Sequence, residues 1–230
     1  MSRIIAWARR SLWDVVPRDH REAPADLRRR QWITVGFGAV GAVVLGASLH
    51  LEPGSPWFYP ATLALAAVWV VGAFCSGPLH LGRITFGAGL VRPVVSPVLV
   101  GLALAGVFVL GALVVREVPA LGGRVAGVLE YADEGSLWLV IVLTALNGVA
   151  EELFFRGAVY AAVTRRPVLW TTLAYVVVTL ATGNLMLAFA AVVLGVVVGL
   201  ERRASGGVLA PILTHVSWSV AVILALPPLF

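Results

Sequence analysis

The chain has 230 residues, 60% of them hydrophobic and 13% charged, where soluble domains run near about 45–50% apolar and about 25% charged. The apolar residues come in long runs rather than at a helical or strand period, which excludes an ordinary soluble core and reads as membrane spans. The formal net charge of +5 rests on arginine alone, with no lysine. Because these arginines flank the apolar runs, where they serve orientation and headgroup contact, a nucleic-acid partner is excluded as well.

In chain order, the opening MSRIIAWARRSLWDVV lacks a continuous apolar stretch ending in a small-residue cleavage site and is not a secretory signal of the usual kind. Trp7, Leu12, Trp13 and Val16 set against Arg3, Arg9 and Arg10 suggest either a short amphipathic helix on the membrane surface or a plain basic tail. Residues 1–31 are therefore a cytoplasmic basic segment, and residues 32–230 a single membrane domain. A hydrocarbon core of roughly 30 Å needs about 20 apolar helical residues. Runs of that kind fall at 32–51, 59–76, 94–115, 137–163, 168–182, 185–200 and 208–226. The expected fold is all-α and polytopic, with about seven transmembrane helices, or eight counting an amphipathic helix at the N-terminus or in the loop after the third span. The fifth and sixth runs are short and separated only by Gly183 and Asn184. They form a helical hairpin or a partly re-entrant pair.

Arginine placement sets the orientation. With the N-terminus inside, the inner segments carry Arg3 through Arg30, then Arg83 and Arg92, Arg165 and Arg166, Arg202 and Arg203, and the outer segments only Arg116 and Arg124. This alternation obeys the positive-inside rule. It predicts a multi-pass protein of the plasma (inner) membrane with the N-terminus cytoplasmic and the C-terminus outside. Cys75 is the single cysteine, so no internal disulfide forms. Gly101, Gly106, Gly111, Gly195 and Gly199 read as helix-packing positions.

The embedded polar set is small: Asn147, Glu151, Glu152 and Arg156 in the fourth span, Thr182 and Asn184 at the short turn, His215, Ser217 and Ser219 in the last. A charge at the bilayer centre costs about 2.5–3.5 kcal/mol on insertion scales, so such residues face a polar interior and carry function by default. Glu152 and Arg156 are four apart with the acid first, the favourable order for a helical ion pair, and are expected to support the site structurally. Glu151 lies about 100° further round the helix and has no basic residue one turn away. Asn147, one turn before it, is positioned to orient its carboxylate. An embedded acid without a counter-ion suits a group that takes and returns protons, making Glu151 the candidate base. His215 and Ser219 share a face of the last helix. With Glu151 they make a water-activating, oxyanion-stabilising set.

At these residues the chain resembles the CPBP family of intramembrane proteases, which includes the CAAX prenyl endopeptidases and bacteriocin-processing or immunity-associated membrane proteins. EELFFRG at 151–157 resembles that family's EExxxR motif, and HVSWS at 215–219 its HxxxN-type third motif. The resemblance covers roughly residues 137–219 and implies a four-helix catalytic-type core. It implies that Glu151 activates water, that Arg156 secures Glu152, and that His215 and Ser219 stabilise the oxyanion. The family's second motif, FxxxH, finds no histidine here between His80 and His215, and the stretch VVVTLATGN offers Thr182 or Asn184 in its place. Asn184 can hold a water but cannot accept a proton. The expected function is an intramembrane endopeptidase with catalytic Glu151, His215, Asn184 and Ser219, acting on a membrane-embedded or membrane-associated peptide or protein. The alternative is a weakened or inactive member acting as a peptide-binding or immunity-type scaffold. No cofactor is expected, and zinc is disfavoured because a catalytic zinc takes three protein ligands and the core holds one histidine. A transporter would show inverted repeats or broken helices in both halves, and neither is present.

Overall fold

The computed structural model describes residues 3–52, 55–87, 89–133 and 136–230. Its helices are α1 (Arg3–Leu12), α2 (Pro24–Ser48), α3 (Phe58–Ser76), α4 (Val95–Val115) and α5 (Pro119–Asp133). These are followed by α6 (Leu137–Ala162), α7 (Pro167–Leu180), α8 (Leu185–Ser205) and α9 (Leu209–Ala225). α2, α3, α4, α6 and α8 are long and apolar enough to cross a membrane, whereas α7 and α9 are apolar but shorter. α7 has 14 residues and at 1.5 Å each is about 21 Å long, less than the roughly 30 Å hydrocarbon core. The chain is thus an α-helical, multi-pass membrane protein; among the described residues five helices have spanning length, and the other two of the expected seven, α7 and α9, are shorter. Among the described residues, the one departure from all-α is a small antiparallel hairpin, β1 (Ile84–Phe86) with β2 (Gly89–Val91).

Local sequence explains the boundaries. Proline, whose fixed φ and missing N–H suit the first helical turn, opens α2, α5 and α7. Asn184 caps α8, and Gly206 in the left-handed conformation (φ 74°) closes it. α2 begins at Pro24, so the expected boundary at residue 31 falls inside a helix. The basic segment runs straight into the first span.

The arginine-bearing segments gather at one end of the bundle. Arg30 is fully buried, donating to Glu22, to Ser76 Oγ (3.1 Å) and to the Pro78 carbonyl (3.2 Å), which pins the start of α2 to the end of α3. Arg18 donates to the Arg203 carbonyl (2.6 Å), Val16 N–H to the Ala204 carbonyl (3.1 Å) and Arg83 N–H to the Ser205 carbonyl (2.9 Å). The Gln31 amide reaches the Ala162 carbonyl (3.0 Å). The N-terminal segment is therefore docked on the protein. Exposed Trp32 and Trp170 lie toward this end and exposed Trp57 and Trp138 toward the other, as interfacial anchors do.

Between the ends, Trp69 of α3 packs on Phe154 and Phe155 of α6 at ring-centroid distances of 4.8 and 5.2 Å. Close helix approach uses glycine. A side chain at Gly101 would meet the Thr214 backbone at 2.5 Å, at Gly195 the Thr172 side chain at 2.9 Å and at Gly199 the Val168 side chain at 3.0 Å, whereas Gly106 and Gly111 face open space. The GVVVG stretch thus serves packing of α8 on α7 within the chain.

Gly101→Ala is expected to destabilise the protein by about 1–3 kcal/mol, the usual cost of overpacking, with no loss for Gly106→Ala; thermal unfolding in detergent compares the two. A second expectation concerns His20, which stacks on His80 with ring centroids 3.7 Å apart. Burial, then the positive charge of His80, Arg202 and Arg18, with Asp19 opposing weakly, lowers the His20 pKa from 6.5 to about 4. The docked segment holds this ring neutral while the released segment protonates it, so docking is at full strength above about pH 6.5 and weakens as pH falls toward about 4. Protease cleavage of residues 13–23 across that range reads the effect, and His20→Gln should flatten it.

Candidate active site

α6 carries two adjacent acids that face different surroundings. After Glu152 it widens into a π-helical segment, Leu153–Val159, a distortion frequent at functional sites. Glu152 is fully buried, and its Oε1 accepts both from Arg156 Nη1 (3.0 Å) and from His215 Nδ1 (2.9 Å). A carboxylate paired with guanidinium only accepts, so His215 Nδ1 carries the proton and Nε2 is the ring's other working atom. The expected Glu152–Arg156 pair is present, and it also orients the histidine of α9. Arg156 lies over the Tyr175 ring at 4.8 Å, a cation–π contact. The Arg156 carbonyl, in the π segment, accepts from Arg202 Nε at 2.7 Å.

Glu151 faces a cavity of ≈ 270 Å³ that is lined also by Asn147, His215 and Ser219. Its Oε2 accepts from the Tyr175 hydroxyl of α7 at 2.7 Å. Asn147 does not orient this carboxylate as expected. Its amide donates to the Leu143 carbonyl (3.0 Å) in its own helix, while Glu151 is turned toward α7. Ser219 sits beside His215, but its proton goes to the His215 carbonyl at 2.8 Å. In this conformation it donates within its own helix and offers the cavity only its oxygen lone pairs, which departs from the expected oxyanion-donor role.

Asn184 is outside the cavity lining. Its Oδ1 accepts from the Met186 and Leu187 N–H groups (2.9 and 3.4 Å) and its Nδ2 donates to the Arg124 carbonyl (2.8 Å). Both ends of the amide are committed to starting α8 and holding α5. The site residues that sequence reasoning missed are Tyr175 and Thr179, both on the cavity. Their spacing, YVVVT, is the aromatic-then-four-later pattern of the FxxxH motif, with threonine in the histidine position. Glu201, also missed, is buried behind the site, where the Thr214 hydroxyl reaches both its Oε1 and the Pro97 carbonyl at 2.9 Å. It joins α8, α9 and the start of α4. The sequence reading ended the span at residue 200 and left this acid in a loop.

Residues 133–221 match the family described as Type II CAAX prenyl endopeptidase Rce1-like. This match supports a CPBP/CAAX protease family assignment. It covers α6 to most of α9, the helices that contribute Glu151, Tyr175 and His215, and supports a peptidase at the level of the family. No curated protein and no solved structure matches the chain.

Asn184→Ala should lower stability by about 0.5–2 kcal/mol, the cost of losing a helix N-cap, and Asn184→Asp should retain most of it. Detergent unfolding of the two variants, alongside turnover per folded molecule, separates this capping role from a catalytic one: the cap predicts unchanged turnover in both.

Proposed function

We propose that the protein is an intramembrane endopeptidase in which Glu151 activates water against a peptide carbonyl. The observation that carries this reading is the division of the glutamate pair. Glu151 opens on the cavity, where its Oε2 accepts from the Tyr175 hydroxyl, whereas Glu152 is fully buried and its Oε1 accepts from both Arg156 and His215. Glu151 takes a proton from water as the oxygen bonds to the carbonyl carbon. His215, protonated at both nitrogens while Glu152 accepts from Nδ1, donates from Nε2 to the developing oxyanion. The proton on Glu151 then passes to the departing amide nitrogen as the C–N bond breaks, giving a carboxylic acid and an amine. Tyr175 holds Glu151 in place, and Ser219 braces the His215 turn.

A resident zinc fits this donor set poorly. Among the described residues no three His, Cys, Asp or Glu side chains converge, and Glu152 and His215 face each other rather than a common point. The reading is accordingly metal-independent, and its substrate is a membrane-embedded or membrane-associated peptide or protein. The arginine-rich end is read as cytoplasmic, in the plasma (inner) membrane, leaving the N-terminus inside and the C-terminus outside after seven crossings.

A second reading, binding without turnover, is favoured by Thr179. Its hydroxyl donates to the Tyr175 carbonyl at 2.9 Å, and it supplies neither the charge nor the proton exchange of an imidazole. Glu151→Gln should reduce hydrolysis of a membrane-reconstituted substrate by about 10²–10⁴-fold, the usual worth of a positioned base. Tyr175→Phe, which removes one hydrogen bond to a charged group, should cost about 10- to 100-fold. If the parent and Glu151→Gln proteins are equally inert while Thr179→His cleaves, the second reading holds.

A further inference from the structure

The cavity is open along only one half of the bundle. On α6 it follows Val140, Leu143, Asn147 and Glu151 and includes nothing after Glu151. On α9 it begins at His215 and continues to Ser219; on α7 it begins at Tyr175 and runs past the helix end to Thr182. α8 lines it only from Leu187 to Leu194, and α2 only from its last turn. In every case the lining half is the one away from the arginine-bearing segments. Glu151 and His215 are the floor, and beneath them lie buried Phe154, Phe155, Arg156 and Glu201. The other end is closed by the docked N-terminal segment and the contacts of Arg18, Arg30 and Arg83 described above.

The walls are apolar with neutral hydroxyl and amide groups, and among the described residues no arginine lines the cavity. A free C-terminal carboxylate would meet no arginine there, only His215, whose Nδ1 is already held by Glu152, and would sit against the Glu151 carboxylate. An internal, uncharged stretch of chain meets neither penalty.

We propose that this cavity is entered from the extracytoplasmic side and takes an uncharged, apolar segment within a membrane-inserted or exported polypeptide, not the charged C-terminal end of a cytoplasmic protein. The direction of entry rests on the cavity lining together with the positive-inside rule; cleavage of the segment rests in addition on the endopeptidase reading.

The experiment uses the full chain in a bacterial inner membrane, in a Cys75→Ala background, with a membrane-impermeant maleimide applied to right-side-out and inside-out vesicles. Thr144→Cys, two turns above Glu151 on the cavity wall, should be labelled in right-side-out vesicles and protected in inside-out ones. Arg83→Cys should behave oppositely. Labelling of Thr144→Cys only in inside-out vesicles, or at neither side for both Thr144→Cys and Ser48→Cys, would overturn the proposal. A second arm places one apolar test segment either in an extracytoplasmic juxtamembrane stretch of a membrane reporter or at the C-terminus of a cytoplasmic carrier. Cleavage of the first alone, lost in Glu151→Gln, is expected; cleavage of the second alone overturns the substrate class. If Thr144→Cys is labelled as expected and neither reporter is cut, entry from outside is supported and the endopeptidase reading is what fails.

Discussion

The arrangement of the site depends on one buried oxygen, Oε1 of Glu152, which serves Arg156 on its own helix and His215 on another. Two ions removed from water cost several kcal/mol each before their mutual attraction is counted, so a buried pair is rarely justified by stability alone. Here the geometry of the pair has a further consequence. It sets the rotation of the imidazole and the distance between α6 and α9. Neighbouring residues comply with it: Gly195 leaves room beside the Arg156 guanidinium, which a side chain there would meet at 3.3 Å.

The adjacency of the two glutamates follows from helix geometry. Consecutive residues point about 100° apart, so one position on α6 can look into the protein while the next looks into the cavity. The π segment that begins directly after them breaks the regular hydrogen-bond ladder, and a freed carbonyl inside a membrane must find another donor. Arg202 supplies it to Arg156, and its guanidinium rests over the Tyr160 ring at 4.8 Å. Arg202, at the end of α8, therefore holds the distortion behind the site.

Most of the helical order was legible in the sequence, because long apolar runs punctuated by arginine, proline and glycine have few other readings. The pairing of Glu152 with Arg156 was legible from spacing, and the placing of Glu151 apart from it followed from rotation. Tyr175 was not, since an aromatic residue in an apolar run carries no mark of where its hydroxyl points. Asn184 caps α8 away from the cavity lining for a recognisable reason. An asparagine after glycine and before an apolar run is a helix-start signal, and that reading outranks a match to a motif counted a few residues out of register. Counted from the aromatic residue instead, the spacing of the FxxxH pattern fits Tyr175 and Thr179. Glu201 escaped because burial of an acid at a span end depends on what α9 brings to it, here Thr214, and one helix read alone does not contain that information.

The two ends of the bundle then have different mechanical characters. At the arginine-rich end, backbone carbonyls of residues 203–205 accept from two separate segments, around Val16–Arg18 and at Arg83, and Arg30 locks α2 to α3, so opening there would break several hydrogen bonds at once. At the other end the helices part around a cavity, and the hydrogen bond from Asn184 to the Arg124 carbonyl ties the lip of α8 to the surface helix α5. The densely hydrogen-bonded end is thus the one that anchors the helices carrying Glu152, Arg156 and His215, and the cavity lies toward the other.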